Sequence, residues 1–197
     1  MYREAGRTDE MVARYREWIA AEPDELVWRS GLARHFLEAG ARDRARAVWE
    51  EWFALPVGPE RARALDVADA LEGLGLDELA LRAAERAVEG GAEAEAALLF
   101  VYDLHRDRGR LDQARAALDR LDEVAGPGSP ARMPLSDCLE RLGDLERAVS
   151  VLEGVREFRG AADAGEDLEM RLAWLYSEIG EEEKALELWK DLWTRIK

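Results

Sequence analysis

The 197-residue chain has no asparagine, a single glutamine (Gln113), a single cysteine (Cys138), two histidines and three lysines. One cysteine excludes a disulfide framework and any cysteine-based zinc site. The longest apolar run, Ala96 to Val101, is far short of a membrane span, and the opening MYREAGRTDE lacks the basic-then-apolar layout of a secretory leader. The compartment is therefore open: cytoplasm by default, periplasm if a leader has been removed. Basic residues are scarce relative to acids, 28 against 43, giving a net charge of −15. No helix carries the basic stripe that a phosphate backbone or an anionic membrane surface requires, so nucleic acid and direct membrane insertion are excluded as expectations. The missing amides and the preference for arginine over lysine fit a GC-rich genome, or a thermophilic source that relies on ion-pair networks.

What is abundant is Ala, Leu, Glu and Arg, the strong helix formers, with no strand pattern anywhere. The six prolines fall at Pro23 and at apparent boundaries and loops, Pro56, Pro59, Pro127, Pro130 and Pro134. Six glycines are spaced almost evenly: Gly6, Gly40, Gly75, Gly109, Gly143 and Gly180, with gaps of 34, 35, 34, 34 and 37 residues. Five residues after each stands Met11, Ala45, Ala80, Ala114, Ala148 or Ala185. Four before each glycine from Gly40 on is a larger residue, Phe36, Leu71, His105, Leu139 or Tyr176, and four before that Leu32, Val67, Val101, Leu135 or Leu172. A spacing of four keeps these pairs on one helix face, so each glycine is expected to cap a first helix. A second helix then turns inward its small residue and larger ones further on, Trp49 and Trp52, Ala84 and Ala87, Leu118 and Leu121, Leu152 and Val155, Trp189 and Leu192. A period near 34 residues predicts helix pairs that bury their apolar faces against neighbouring pairs.

At these residues the chain resembles the tetratricopeptide repeat (TPR) family. Leu32, Ala33, Phe36, Gly40, Ala45 and Trp49 carry the resemblance best, together with Leu172, Ala173, Tyr176, Gly180 and Ala185. Departures exist: the tryptophan near each unit's start is mostly absent, with Trp28 one residue out of phase, and the closing proline survives clearly only as Pro23. The resemblance implies an all-α, right-handed α-solenoid of antiparallel helix pairs, about eleven helices. The expected organisation is one solenoid over 1–197, with a half repeat at 8–23 and full repeats at about 24–58, 59–92, 93–128, 129–165 and 166–197. The half repeat is a lone second helix from about Thr8 to Ala21.

Nothing in the pattern argues for an enzyme, a cofactor or a metal. His105 stands where a large packing residue is expected, Cys138 has no activating neighbour in sequence, and the Gly126-Pro127-Gly128 loop follows no strand. Equivalent carboxylates on neighbouring units are separated by roughly 10 Å, too far to share an ion that needs oxygens within about 2.6 Å. Function is expected on the face formed by the first helices. Six residues before each glycine are Arg34, Asp69, Asp103, Asp137 and Trp174; four before those are Ser30, Leu65, Leu99, Met133 and Met170. In TPR proteins these phases line the groove, so the resemblance implies an acidic row beside an apolar one, suited to a protein segment with basic and apolar side chains. The same residues also read as a solvated face beside core packing. The carboxylate clamp of chaperone-binding relatives, built of Lys, Arg and Asn, is rejected: the chain has no Asn, its three lysines all follow residue 183, and the groove phases carry Asp.

The expected function is a protein- or peptide-binding scaffold. An accessory TPR segment of a larger enzyme or secretion machine is one alternative, and a self-associating solenoid is another. Tryptophans gather near the two ends, Trp18, Trp28, Trp49 and Trp52 against Trp174, Trp189 and Trp193, and are expected to be core residues. An apolar end helix without a polar cap suggests either a segment of a longer repeat protein, in contact with flanking repeats, or end-to-end homo-oligomers.

Overall fold

A computed structural model describes residues 2–54, 63–91, 93–160 and 163–195, with side chains described from residue 8 on. Among these residues the chain is all-α. Its eleven helices are α1 (Tyr2–Ala21), α2 (Leu26–Glu38), α3 (Arg42–Phe53), α4 (Ala64–Glu72), α5 (Asp77–Gly90), α6 (Ala94–Asp107), α7 (Leu111–Val124), α8 (Arg132–Arg141), α9 (Leu145–Arg159), α10 (Glu166–Glu178) and α11 (Glu182–Arg195). They pack as consecutive pairs, α2 with α3, α4 with α5, α6 with α7, α8 with α9 and α10 with α11. The chain divides into two compact units, Met1–Glu93 and Ala94–Lys197. No described helix is long and apolar enough to cross a membrane.

The turn inside each pair follows from the glycine comb. Gly40, Gly75, Gly109, Gly143 and Gly180 have φ of 72°, 67°, 70°, 76° and 83°, the left-handed region that glycine enters without a Cβ penalty. The N–H of the next residue donates back to the carbonyl of the large residue four before the glycine: Ala41 to Phe36, Leu76 to Leu71, Arg110 to His105, Asp144 to Leu139 and Glu181 to Tyr176. This is a Schellman closure. The residue after the glycine, Ala41, Leu76, Arg110, Asp144 or Glu181, then accepts at its own carbonyl the N–H of Ala45, Ala80, Ala114, Ala148 or Ala185. One residue thus ends the first helix and opens the second, which fixes the interval from glycine to alanine.

Burial follows the same ruler. Leu32, Val67, Val101, Leu135 and Leu172 are buried on the first helices, and all five alanines on the second. Repeat-spaced arginines tie successive second helices together. In the first unit Arg46 pairs with Glu78 at 2.8 Å and Arg82 with Glu50 at 2.7 Å, while Arg86 donates to the Phe53 carbonyl at 2.6 Å. In the second unit Arg147 of α9 reaches Asp119 of α7 at 2.8 Å.

Three expectations are corrected, and one lies outside the described residues. Gly6 caps nothing: it lies inside α1, which begins at Tyr2 rather than about Thr8, since the surrounding helix formers absorb the roughly 1 kcal/mol cost of an interior glycine. Pro134 is not in a loop but in the first turn of α8, where its missing N–H would have had no helical partner. Trp189 is not buried as the other members of its series are, and Trp18, Trp174, Trp189 and Trp193 are all exposed rather than core. Pro56 and Pro59 lie outside the described residues.

Candidate partner groove

The residues at the two expected groove phases are divided between the units. In the first unit Arg34 is exposed on α2, and α4 carries a half-buried Leu65 and an exposed Asp69. Partial burial, reinforced by the charge of Asp66 one turn away, raises the Asp69 carboxyl above the ordinary aspartate range. The second unit holds the other six: Leu99 and Asp103 on α6, Met133 and Asp137 on α8, Met170 and Trp174 on α10.

Within the second unit the three first helices are tied side by side. The Tyr102 hydroxyl of α6 donates to the Cys138 carbonyl of α8 at 3.4 Å. Arg171 of α10 reaches back to α8, pairing with Asp137 and donating through Nε to Glu140 at 2.7 Å. Asp137 and the α10 face are therefore brought together by an arginine that stands one residue past Met170. Asp103 bonds instead within its own helix, to Arg106 at 2.8 Å. Two of the three expected acidic positions thus carry a guanidinium of the same unit, and the surface there is zwitterionic rather than bare acid.

The apolar row is uneven in the same unit. Leu99 and Met133 are half-buried, and Met133 packs against the core cluster of Val155, Ala164 and Leu168. Met170 and Trp174, four residues apart on one face of α10, are exposed, Trp174 to 47%. Their neighbours Leu168, Leu172 and Leu175 are buried. α10 therefore presents two large apolar side chains on a face its core packing does not use.

The position eleven residues before the glycine, which no pattern in the sequence marks, carries a charge in three of the five repeats. Glu169 there is 0% exposed on α10, held by Arg195 of α11 at 2.7 Å and by Arg156 of α9 at 3.5 Å. Arg132, at the same phase in α8, pairs with Asp122 of α7 and donates to the Ala125 carbonyl at the end of α7 and to the Gly126 carbonyl of the Gly-Pro-Gly loop. Two oppositely charged residues thus serve one purpose, joining a first helix to the second helix before it. Arg29, again at this phase, is only 4% exposed, and its Nε and Nη1 meet no hydrogen-bond partner among the described residues.

A second concavity of about 330 Å³ lies among α9, α10 and α11, lined by Arg156, Tyr176, Lys184, Glu187, Leu188 and Asp191. Its charges are mixed, and the Tyr176 hydroxyl is spent on Glu153. Burial and that carboxylate push the phenol well above its ordinary range, so it is no proton donor near neutrality. Cys138 is buried, which raises its thiol and leaves it unreactive. No group of three or more His, Cys, Asp or Glu is placed to hold a metal among the described residues.

No family model and no curated protein matches the chain. Its structural neighbours are TPR-like repeat proteins over most of its length. The nearly identical TPR-like repeats related to kinesin light chain from Podospora anserina superpose with a TM-score of 0.52 at 19% identity, covering 87% of this chain and 95% of that one. YrrB, a TPR protein with an unusual peptide-binding site, gives 0.50 at 19% identity over 90% of each chain. MamA of AMB-1 gives 0.50 at 18% identity, with 84% of this chain and 88% of that one covered. At such identities the likeness establishes the TPR-like fold.

Proposed function

We propose that the protein is a non-enzymatic scaffold that binds a protein or peptide segment, and that the second unit receives it on the first-helix face of α6, α8 and α10. The observation that carries this reading is the exposed pair Met170 and Trp174 beside the Arg171–Asp137 ion pair. An exposed tryptophan next to a methionine offers a large, adaptable apolar contact, the kind of anchor that dominates peptide recognition. Asp103 and Asp137 remain partly accessible beside it and favour a basic side chain next to the partner's apolar anchor. A segment ending in a free carboxylate here would meet like charge. The peptide-binding site of YrrB adds the fold-level analogy and nothing about sequence.

Panning random linear peptides against the wild-type chain, and in parallel against Met170→Ala/Trp174→Ala, tests the reading. The expected result is a set of peptides rich in apolar and basic residues whose binding is lost in the double variant. Recovery of the same peptides with the same affinity from both proteins would overturn it.

A further inference from the structure

Given a peptide-binding face on α6, α8 and α10, we propose that Arg171 sets its charge preference, and the inference stands only with that function. Arg171 occupies the Asp137–Glu140 pair as an internal stand-in for a partner's basic side chain and holds this three-residue centre at a single net negative charge.

The arginine is peculiar to one repeat. Nine residues before the glycine the other first helices carry Gly31, Asp66, Phe100 and Pro134, so a long cation stands at this phase only on α10. It leaves its own helix to bond two carboxylates of α8, pairing with Asp137 and donating through Nε to Glu140 at 2.7 Å. Glu140 follows Asp137 by three residues, which puts both on one side of α8. Two carboxylates thus share one guanidinium, and one negative charge is left over.

The centre is accessible to a partner without being open water. The side chains of Asp137, Arg171 and Glu140 are 39%, 26% and 19% exposed. Partial burial raises the Glu140 carboxyl and weakens the hold of Arg171 on its proton, so a charge arriving here is screened less than on open surface. The apolar anchor lies alongside: Met170 precedes Arg171, and Trp174 follows it by three residues. A segment seated on Met170 and Trp174 has its next side chains within reach of the centre. The same two-to-one ratio recurs on α6, where Arg106 sits between Asp103 and Asp107, but that helix presents no exposed large apolar residue among those described.

A guanidinium at this place acts twice on an incoming cation. It cancels one carboxylate, and it fills the fork in which a partner's arginine would bond, so the partner's cation must share or displace it.

The test changes the charge of the centre one unit at a time and reads the charge of what binds. Arg171→Leu leaves two negative charges, Asp137→Asn leaves none, and Asp137→Asn with Glu140→Gln leaves one positive charge. Arg141 and the other neighbouring charges are common to all, so only the centre differs. Random linear peptides are panned against each variant and wild type, and the ratio of basic to acidic residues is counted in each recovered pool. The expected order is Arg171→Leu, wild type, Asp137→Asn and then the double variant, whose pool favours acidic residues. For one recovered peptide and its copy with the basic residue replaced by glutamine, the affinity ratio should change about tenfold per unit of charge at low salt, and shrink at about 1 M salt. Arg171→Lys keeps the charge and should keep the wild-type ratio. Asn and Gln match the shapes they replace, so the result does not hinge on how Arg171→Leu folds. If Arg171 is only a strut between α8 and α10, its loss weakens both peptides alike and every pool shows one ratio, which overturns the proposal. Pools that bind Met170→Ala/Trp174→Ala as well as wild type overturn the peptide-binding reading itself, and the charge-setting role falls with it.

Discussion

Trp49 and Trp189 occupy the same place in their repeats, nine residues after the glycine on a second helix, yet one is completely buried and the other 41% exposed. The phase of a residue in a repeat fixes the direction of its side chain. What lies in that direction is decided by the neighbouring helix, which a single repeat does not contain. In the first unit Trp52 is buried as well, edge-on to Phe53 at 5.1 Å, whereas Trp18, 40% exposed, stacks on a half-buried Trp28 at 4.8 Å. The second unit turns Trp174, Trp189 and Trp193 outward. The sharpest way to break this contrast is to truncate the two equivalent residues. Trp49→Ala should cost about 3–5 kcal/mol, the range for emptying a large buried site, whereas Trp189→Ala should cost under about 1 kcal/mol. Urea unfolding at low protein concentration measures both, and equal losses would mean that the contrast in burial has no energetic content.

The position eleven residues before the glycine sharpens the comparison through charge. Arg29 in the first unit and Glu169 in the second are both nearly inaccessible, but Glu169 is bracketed by Arg156 and Arg195, while two Arg29 nitrogens meet no acceptor among the described residues. Burial lowers the Arg29 affinity for its proton, and the neighbouring Glu51 only partly offsets this. A buried charge is costly unless its partners are good, and removing one partner costs more than removing the whole arrangement. Arg195→Ala should therefore destabilise by about 2–3 kcal/mol, since it leaves the Glu169 carboxylate with Arg156 alone. Arg29→Leu should be neutral or stabilising by about 1 kcal/mol, because it removes unmet donors and keeps the volume apolar. Thermal unfolding of the two variants against wild type checks the sign as well as the size. A large loss in Arg29→Leu would show that Arg29 and Glu169 do the same work.

These two positions also show where the sequence is readable. The turn within each pair was legible because only glycine enters its left-handed φ cheaply, so the constraint is written in one residue type. The buried rows at Leu32, Val67, Val101, Leu135 and Leu172 were legible because apolar side chains four apart have one common explanation in a helix. The charged position was not. It is occupied in turn by Arg29, Ala64, Leu98, Arg132 and Glu169, and no residue type repeats. The acidic row at Asp69, Asp103 and Asp137 was visible as a pattern, but its electrostatics were not. With 25 arginines and 43 acids in the chain, the choice of Arg171 for Asp137 is settled by side-chain reach between helices, not by spacing along them. The exposure of Met170 and Trp174 depends likewise on what α10 packs against. Gly6, in phase with the comb but inside α1, shows that phase alone can mislead where only half the pattern is present.

The smallest expected effects lie at two glycines off the comb, each with an aromatic ring where a Cβ would stand. At Gly31 of α2 a methyl group would lie 2.7 Å from the Tyr15 ring of α1; at Gly128 it would lie 2.6 Å from the Phe158 ring of α9. Both contacts are tighter than van der Waals distance, so both rings must move. Their freedom to do so differs. Phe158 is 64% exposed and can swing into solvent, whereas Tyr15 is half-buried and packs edge-on to Trp18 at 5.5 Å. Gly31→Ala gains about 1 kcal/mol of helix propensity against about 1–3 kcal/mol for overpacking, a net loss of up to about 2 kcal/mol concentrated where α1 meets α2. Gly128→Ala should fall within about 0.5 kcal/mol of wild type, as surface changes do. Hydrogen exchange separates the two outcomes, because Gly31→Ala should speed exchange in α1 while leaving α8 and α9 unchanged. Unaltered protection of α1 would mean that Tyr15 yields as easily as Phe158, and that the first unit's aromatic packing is looser than its burial implies.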